Sequence, residues 1–144
     1  MDIIISLLTE IPLIFFSFLF LIFFLLLYLI QYFYISYNLK GICKIVFNDE
    51  RYFKLPLEPF NCFFISVLPI IFWRETLNIK KGVNFKKLYG KDFYYSINKG
   101  EFEKMLKQYP KLFYVQYLIY FSCFAFIFLL TIAFILDKFL YWWE

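Results

Sequence analysis

Histidine is absent from the 144 residues, while glycine occurs four times and cysteine three times. Without histidine no Ser/His/Asp or Cys/His set can be assembled, and a common zinc ligand is missing. Scarce glycine leaves no GxGxxG, P-loop or G-x-S-x-G element. Cys43, Cys62 and Cys123 contain no Cys-x-x-Cys pair. Their odd number and wide spacing suit neither a disulfide framework nor a zinc site, so buried free thiols are expected. Charge is also sparse, at 18% of residues, against about 25% in ordinary soluble domains. These absences exclude the usual hydrolase, nucleotide-binding and metalloprotein classes, and no cofactor or metal is expected. A membrane enzyme would need carboxylates such as Asp92 or Glu75 to act alone, so a non-enzymatic role is preferred.

What is present is apolar: 63% of residues are hydrophobic and 27% aromatic, and the mean hydropathy is +0.69. Codon bias in an AT-rich genome would raise Phe, Ile, Tyr, Lys and Asn together, so phenylalanine content alone carries no function. The blocked arrangement is more telling. No charge occurs from Ile11 to Leu39, and none from Leu112 to Leu136. Each run exceeds the roughly 20 apolar residues that cross about 30 Å of hydrocarbon as a helix. "QYFYISYN" at the end of the first run and "YWW" after the second suit the headgroup layers. The acidic Asp2 and Glu10, the run's length and the lack of an A-x-A-like site favour a retained anchor over a cleaved signal peptide. Pro110 falls where a helix start tolerates proline.

Charge sets the expected orientation. Residues 40 to 111 hold 14 of the 15 basic residues and seven acids, a net of 14 − 7 = +7. Lysine and arginine excess marks cytoplasmic loops. The organisation is therefore an N-terminal tail and first transmembrane helix (1–39), a basic cytoplasmic region (40–111), and a second transmembrane helix with an outer tail (112–144). Both termini are expected outside an inner membrane, on the periplasmic side.

The apolar stretch Phe60–Trp73 tests that scheme. Its 14 residues reach only about 21 Å as a helix, and Pro69 interrupts it. A crossing there would divide the four basic residues of 40–59 from the ten of 74–111. A re-entrant, interfacial or cytoplasmic core segment is expected instead. Phe64, Phe72 and Trp73 are its candidate partner-docking residues.

Elsewhere in the central region, "ICKIVFNDERYFKLPL" (42–57) reads as a β-hairpin, with β-branched and aromatic residues flanking an "NDE" turn. "NKGEFEKMLKQYP" reads as an amphipathic helix. Asn98 and Glu101 make a capping-box pattern, and Phe102, Met105, Leu106 and Tyr109 form one face. "FKKLYGKDFYYSI" suggests a short helix that breaks at Gly90. The fold class is thus a mainly α membrane protein, with two transmembrane helices and a small α+β cytoplasmic region between them.

Lys80, Lys81, Lys86, Lys87 and Lys91 follow the positive-inside bias, and they are also candidate ligands for anionic lipid headgroups. The aromatic residues among them have a nearer partner in the bilayer than in nucleic acid, and no nucleic acid is expected. Glu10, Asp137 and Lys138 lie at the outer ends of the apolar runs, where a contact between Glu10 and Lys138 would link the helix ends. Gln116, Ser122 and Ala125 are candidates for helix–helix packing.

Residues within "KDFYYSINKGEFEKMLKQYPKLFYVQYLIYFSCFAFIF", about a quarter of the chain, resemble the universal stress protein B family. That resemblance implies a small bacterial inner-membrane protein with a helix at each end and a basic amphipathic segment leading into the second. The Phe- and Tyr-rich character also resembles that of plasmid- or phage-borne immunity and exclusion proteins. The expected role is contact with lipids and with a protein partner or a second copy, as an immunity, exclusion or accessory protein. An oligomeric transporter or channel subunit, with Glu10 or Asp137 at its mouth, is the alternative.

Overall fold

The computed structural model describes residues 2–80 and 97–142. Among the described residues seven helices run in chain order: α1 (Asp2–Tyr37), α2 (Leu39–Phe47), α3 (Pro59–Ser66), α4 (Leu68–Ile71), α5 (Trp73–Lys80), α6 (Lys99–Gln108) and α7 (Pro110–Trp142). Among the described residues there is no strand. Two of these helices contain segments long and apolar enough to cross a membrane: Ile11–Tyr37, with 27 residues, and Pro110–Phe139, with 30. At 1.5 Å per residue they extend roughly 40 and 45 Å.

The chain divides into two compact units, and α1 and α7 contribute to both. The first, Met1–Tyr28 with Leu118–Glu144, is built from the two long helices. Phe20 meets Phe121 edge-on with ring centroids 6.4 Å apart. Ser17 and Ser122 are fully buried, and Leu27, Ile119 and Ala133 are nearly so. Each serine returns its hydroxyl to its own helix, Ser17 to the Ile14 carbonyl at 2.7 Å and Ser122 to the Leu118 carbonyl at 2.8 Å. Small residues that satisfy their own polar atoms let helices approach closely in an apolar medium. Ala125, on the same helix as Ser122, is only half-buried.

The second unit, Leu29–Tyr117, has a true core. Ile35, Leu39, Ile42, Cys43, Val46, Leu57, Cys62, Ile65 and Leu68 are buried together with Phe72, Phe102, Met105, Leu112 and Phe113. Phe102 lies between two aromatic partners, 5.4 Å from Phe72 and 5.8 Å from Phe113 by ring centroid. This unit takes in the last turns of α1 and the first turns of α7, so its boundaries fall inside the two apolar runs.

The expected hairpin over 42–57 is corrected: "CKIVF" belongs to α2. Leu39, Ile42, Cys43 and Val46 recur at i, i+3, i+4 and i+7, and all four are buried. That helical period outweighs the β-branched composition. The "NDE" break is a turn all the same. Asn48 closes α2 in the left-handed conformation at φ 56°, which asparagine tolerates better than most residues. Asp49 Oδ1 then accepts from the Arg51 N–H at 2.8 Å. Phe47 and Tyr52 stack across the turn with centroids 3.9 Å apart, and Phe53 packs edge-on to both.

The amphipathic helix forms as expected. Asn98 Oδ1 accepts from the Glu101 N–H at 2.9 Å, and Glu101 Oε2 accepts from the Asn98 N–H at 3.0 Å. Phe102 and Met105 are fully buried, and α6 packs against α2. The Phe60–Trp73 stretch is no single helix. Val67 separates α3 from α4, Pro69 occupies the first turn of α4, and Phe72 separates α4 from α5.

Candidate functional site

The second unit carries the polar features within an otherwise apolar framework. Gln31 of α1, 1% exposed, donates from Nε2 to the Leu112 carbonyl at 3.1 Å and to Gln116 Oε1 at 3.4 Å. Its own Oε1 is buried without a hydrogen-bond partner among the described residues. The Tyr32 hydroxyl donates to the Leu57 carbonyl at 2.8 Å, and Tyr117 donates to the Pro69 carbonyl at 3.2 Å. These bonds tie the segments between α2 and α5 to the long helices. The sequence marks Gln116 for helix packing, whereas its partner Gln31 sits among tyrosines that read as headgroup anchors.

A cleft of about 360 Å³ opens where α1 gives way to α2, lined by Ser36, Asn38, Lys40, Gly41, Leu55 and Tyr109 among others. Gly41 shapes one wall, because a Cβ there would collide with the Tyr109 hydroxyl. Asn38 stands at the N-cap of α2 yet makes no side-chain cap bond, and its Nδ2 donates to the Tyr34 carbonyl at 2.9 Å. On the next turn Lys44 pairs with Glu50 at 2.6 Å. This hydrogen bond raises the lysine pKa and lowers that of the carboxylate.

The sequence-predicted site residues fare unevenly. Lys81, Lys86, Lys87 and Lys91 lie outside the described residues; Lys80 ends α5. Asp92 and Gly90 also fall outside them. Of the three docking candidates, Trp73 is 55% exposed, Phe64 is half-buried against Phe60 at 4.8 Å, and Phe72 is a core residue at 6%. Phe72 is therefore withdrawn from the docking surface, since its ring is committed to Phe102. The exposed apolar side chains here are Phe60 and Phe63 on α3, and Trp73 and Leu77 on α5. Spacings of three and four residues put each pair on one helix face.

Asp137 and Lys138 are exposed, and the Lys138 ammonium lies 5.3 Å from the Phe134 ring centroid. Among the described residues no group of three or more His, Cys, Asp or Glu could hold a metal ion. Cys43 and Cys62 are buried, and Cys123 is half-buried; none of the three is in a disulfide. Burial raises the Cys43 thiol and pushes Cys62 up to about 11. A thiol so placed is a packing group, not a nucleophile. No family model matches this chain, and neither the curated proteins nor the solved structures hold a match to it.

Proposed function

We propose that this chain is a small integral protein of a bacterial inner membrane, working by protein and lipid contact rather than by catalysis. In this reading α1 and α7 cross the bilayer, and residues 40–111 form a cytoplasmic contact region. The observation that carries it is the exposure of the two long apolar helices. Only 11% and 17% of their most apolar windows are buried. Phe121, Phe124 and Phe128 are 63%, 69% and 65% exposed, and many leucines and isoleucines of α1 are more than half exposed. The core helix of a water-soluble protein would bury such a window, gaining about 25 cal/mol per Å² of apolar surface. Lipid covers the same surface without a protein partner.

Tyr37, 90% exposed at the end of α1, suits a headgroup layer. The exposed Phe60, Phe63, Trp73 and Leu77 support an interfacial position for the segment between the spans. Fourteen of 15 basic residues in 40–111 support its cytoplasmic placement. An immunity, exclusion or accessory role fits a molecule whose exposed features are surfaces.

Impermeant-maleimide labelling of intact spheroplasts tests the arrangement. Lys138→Cys is expected to label from outside, and Lys104→Cys only after permeabilisation. External labelling of Lys104→Cys would overturn it. For the immunity role, cells lacking the gene are challenged with the product of any toxin gene beside it. Reduced survival is expected, and unchanged survival would remove that role.

A further inference from the structure

We propose that the stretch from α3 to the start of α5 lies within the cytoplasmic leaflet, at the boundary between phospholipid headgroups and acyl chains. In this arrangement Phe60, Phe63 and Trp73 enter the acyl chains and Arg74 meets the phosphates. The proposal rests on the transmembrane reading above and deepens it, by giving this surface to lipid rather than to a protein partner.

Two hydrogen bonds set the depth. The Tyr32 hydroxyl donates to the Leu57 carbonyl at 2.8 Å, and the Tyr117 hydroxyl donates to the Pro69 carbonyl at 3.2 Å. Both tyrosines belong to the apolar segments, Ile11–Tyr37 and Pro110–Phe139, and not to the chain beyond them. Tyr32 precedes Tyr37 by five residues, about 7.5 Å along a helix, and Tyr117 follows Pro110 by seven, about 10 Å. Helical side chains lean toward the N-terminus, which carries the Tyr32 hydroxyl deeper and the Tyr117 hydroxyl back toward Pro110. Leu57 and Pro69 are thereby held beside the last turns of the spans. The 27 residues of Ile11–Tyr37 extend roughly 40 Å, the thickness of a bilayer with its headgroups. A level about 7.5 Å inward from its end is therefore the edge of the hydrocarbon.

The surface suits that level. No charged residue occurs from Pro59 to Trp73, and the exposed Glu58 and Arg74 bound the run. Phe60 and Trp73 are more than half exposed and Phe63 nearly so, as befits aromatic residues of a membrane interface. Cys62, Ile65, Leu68 and Phe72, from the same stretch, belong to the core. An in-plane element divided in this way sinks its apolar face about 5–10 Å into the headgroup–acyl boundary. Arg74 is joined by the exposed Lys40 and Lys111 at the cytoplasmic ends of the spans, a cationic set complementary to lipid phosphates.

Irregular backbone is tolerated at such depth only when its polar groups find partners in the protein. The two helix breaks meet that requirement. The Val67 N–H donates to the Phe63 carbonyl and the Phe72 N–H to the Leu68 carbonyl, both at 3.0 Å. Ser66 and Thr76 return their hydroxyls to the Phe63 and Phe72 carbonyls at 2.8 and 3.0 Å. The Leu57 and Pro69 carbonyls take the tyrosines of the spans.

The test is tryptophan fluorescence of the full chain in phosphatidylcholine vesicles, with Trp142→Phe and Trp143→Phe so that Trp73 reports alone. The lipid carries bromine, a contact quencher, either near the headgroup or near the chain ends, and aqueous iodide is supplied on both sides. Trp73 is expected to lose more fluorescence to shallow bromine than to deep bromine, and little to iodide. Phe63→Trp with Trp73→Phe should behave alike. Phe124→Trp, as the sole tryptophan, should lose most to deep bromine. Strong loss to iodide and none to bromine at Trp73, with Phe124→Trp still quenched by deep bromine, would overturn the proposal and leave the spans standing. Loss at Trp73 greatest with deep bromine would overturn it too, by placing the residue in mid-membrane. No bromine loss at Phe124→Trp would defeat the transmembrane reading itself, and this proposal with it.

Discussion

Tyr109 sets its hydroxyl against the backbone of Gly41, so closely that any side chain at residue 41 would strike the phenol oxygen. The contact joins α2 to the residue that closes α6, and it defines one wall of the α1–α2 cleft. Glycine in a helix ordinarily costs about 1 kcal/mol relative to alanine. Here the missing Cβ is what admits the tyrosine.

Gly41→Ala should consequently fail to give the stabilisation that helix propensity promises. Overpacking typically costs about 1–3 kcal/mol, so a net loss of up to about 2 kcal/mol is expected once the propensity gain of about 1 kcal/mol is set against it. Thermal unfolding of the full chain in detergent measures this. Tyr109→Phe in the Gly41→Ala background should recover part of the loss, because the colliding oxygen is gone. A Gly41→Ala protein more stable than the parent would show that Tyr109 yields the space at little cost.

The Gln31–Gln116 pair gives a second expectation. Hydrogen bonds between helices in apolar surroundings average about 0.6 kcal/mol and reach about 1.7. Gln116→Leu should cost about that much in chemical unfolding from mixed micelles. Gln31→Leu with Gln116→Leu should cost less than the sum of the single changes, because it also removes the unpartnered Gln31 Oε1. Strictly additive losses would mean that the two side chains do not interact.

Cys62 offers a readout of the second unit. It is 1% exposed, and burial lifts its pKa from 9.0 to about 11. In the folded chain it should resist iodoacetamide at neutral pH, and it should react fully once the unit unfolds. The folded state holds the proton more tightly than the unfolded state. The associated stability is therefore complete below pH 9.0 and is lost as the pH rises toward about 11. Rapid alkylation of native protein at neutral pH would contradict the packing of α3.

Much of this architecture was legible from the residues. The uncharged runs mark α1 and α7 because twenty or more apolar residues have few other uses. The Asn98/Glu101 pair identifies the start of α6 because capping is a local event. Pro69 signals a break because its ring is incompatible with a helix interior. Two features depart from the sequence expectation for definable reasons. In α2, β-branched composition masked the helical period of Leu39, Ile42, Cys43 and Val46. Phe72 resembled its exposed neighbour Trp73, and only the arrival of Phe102 from a distant segment makes it core. The cleft could not be read at all, since Gly41 and Tyr109 lie far apart in sequence and meet only through the packing of α2 on α6.

The placement of the outward phenylalanines in lipid is the claim on which the proposed function depends, and spin-label accessibility tests it most directly. A nitroxide is attached at Phe124→Cys in the full chain reconstituted into vesicles, with Cys123 replaced by alanine and the buried Cys43 and Cys62 left in place. Frequent collision with oxygen and near-absence of collision with a water-soluble nickel complex is the expected result. Frequent collision with the nickel complex, without preference for oxygen, would contradict it.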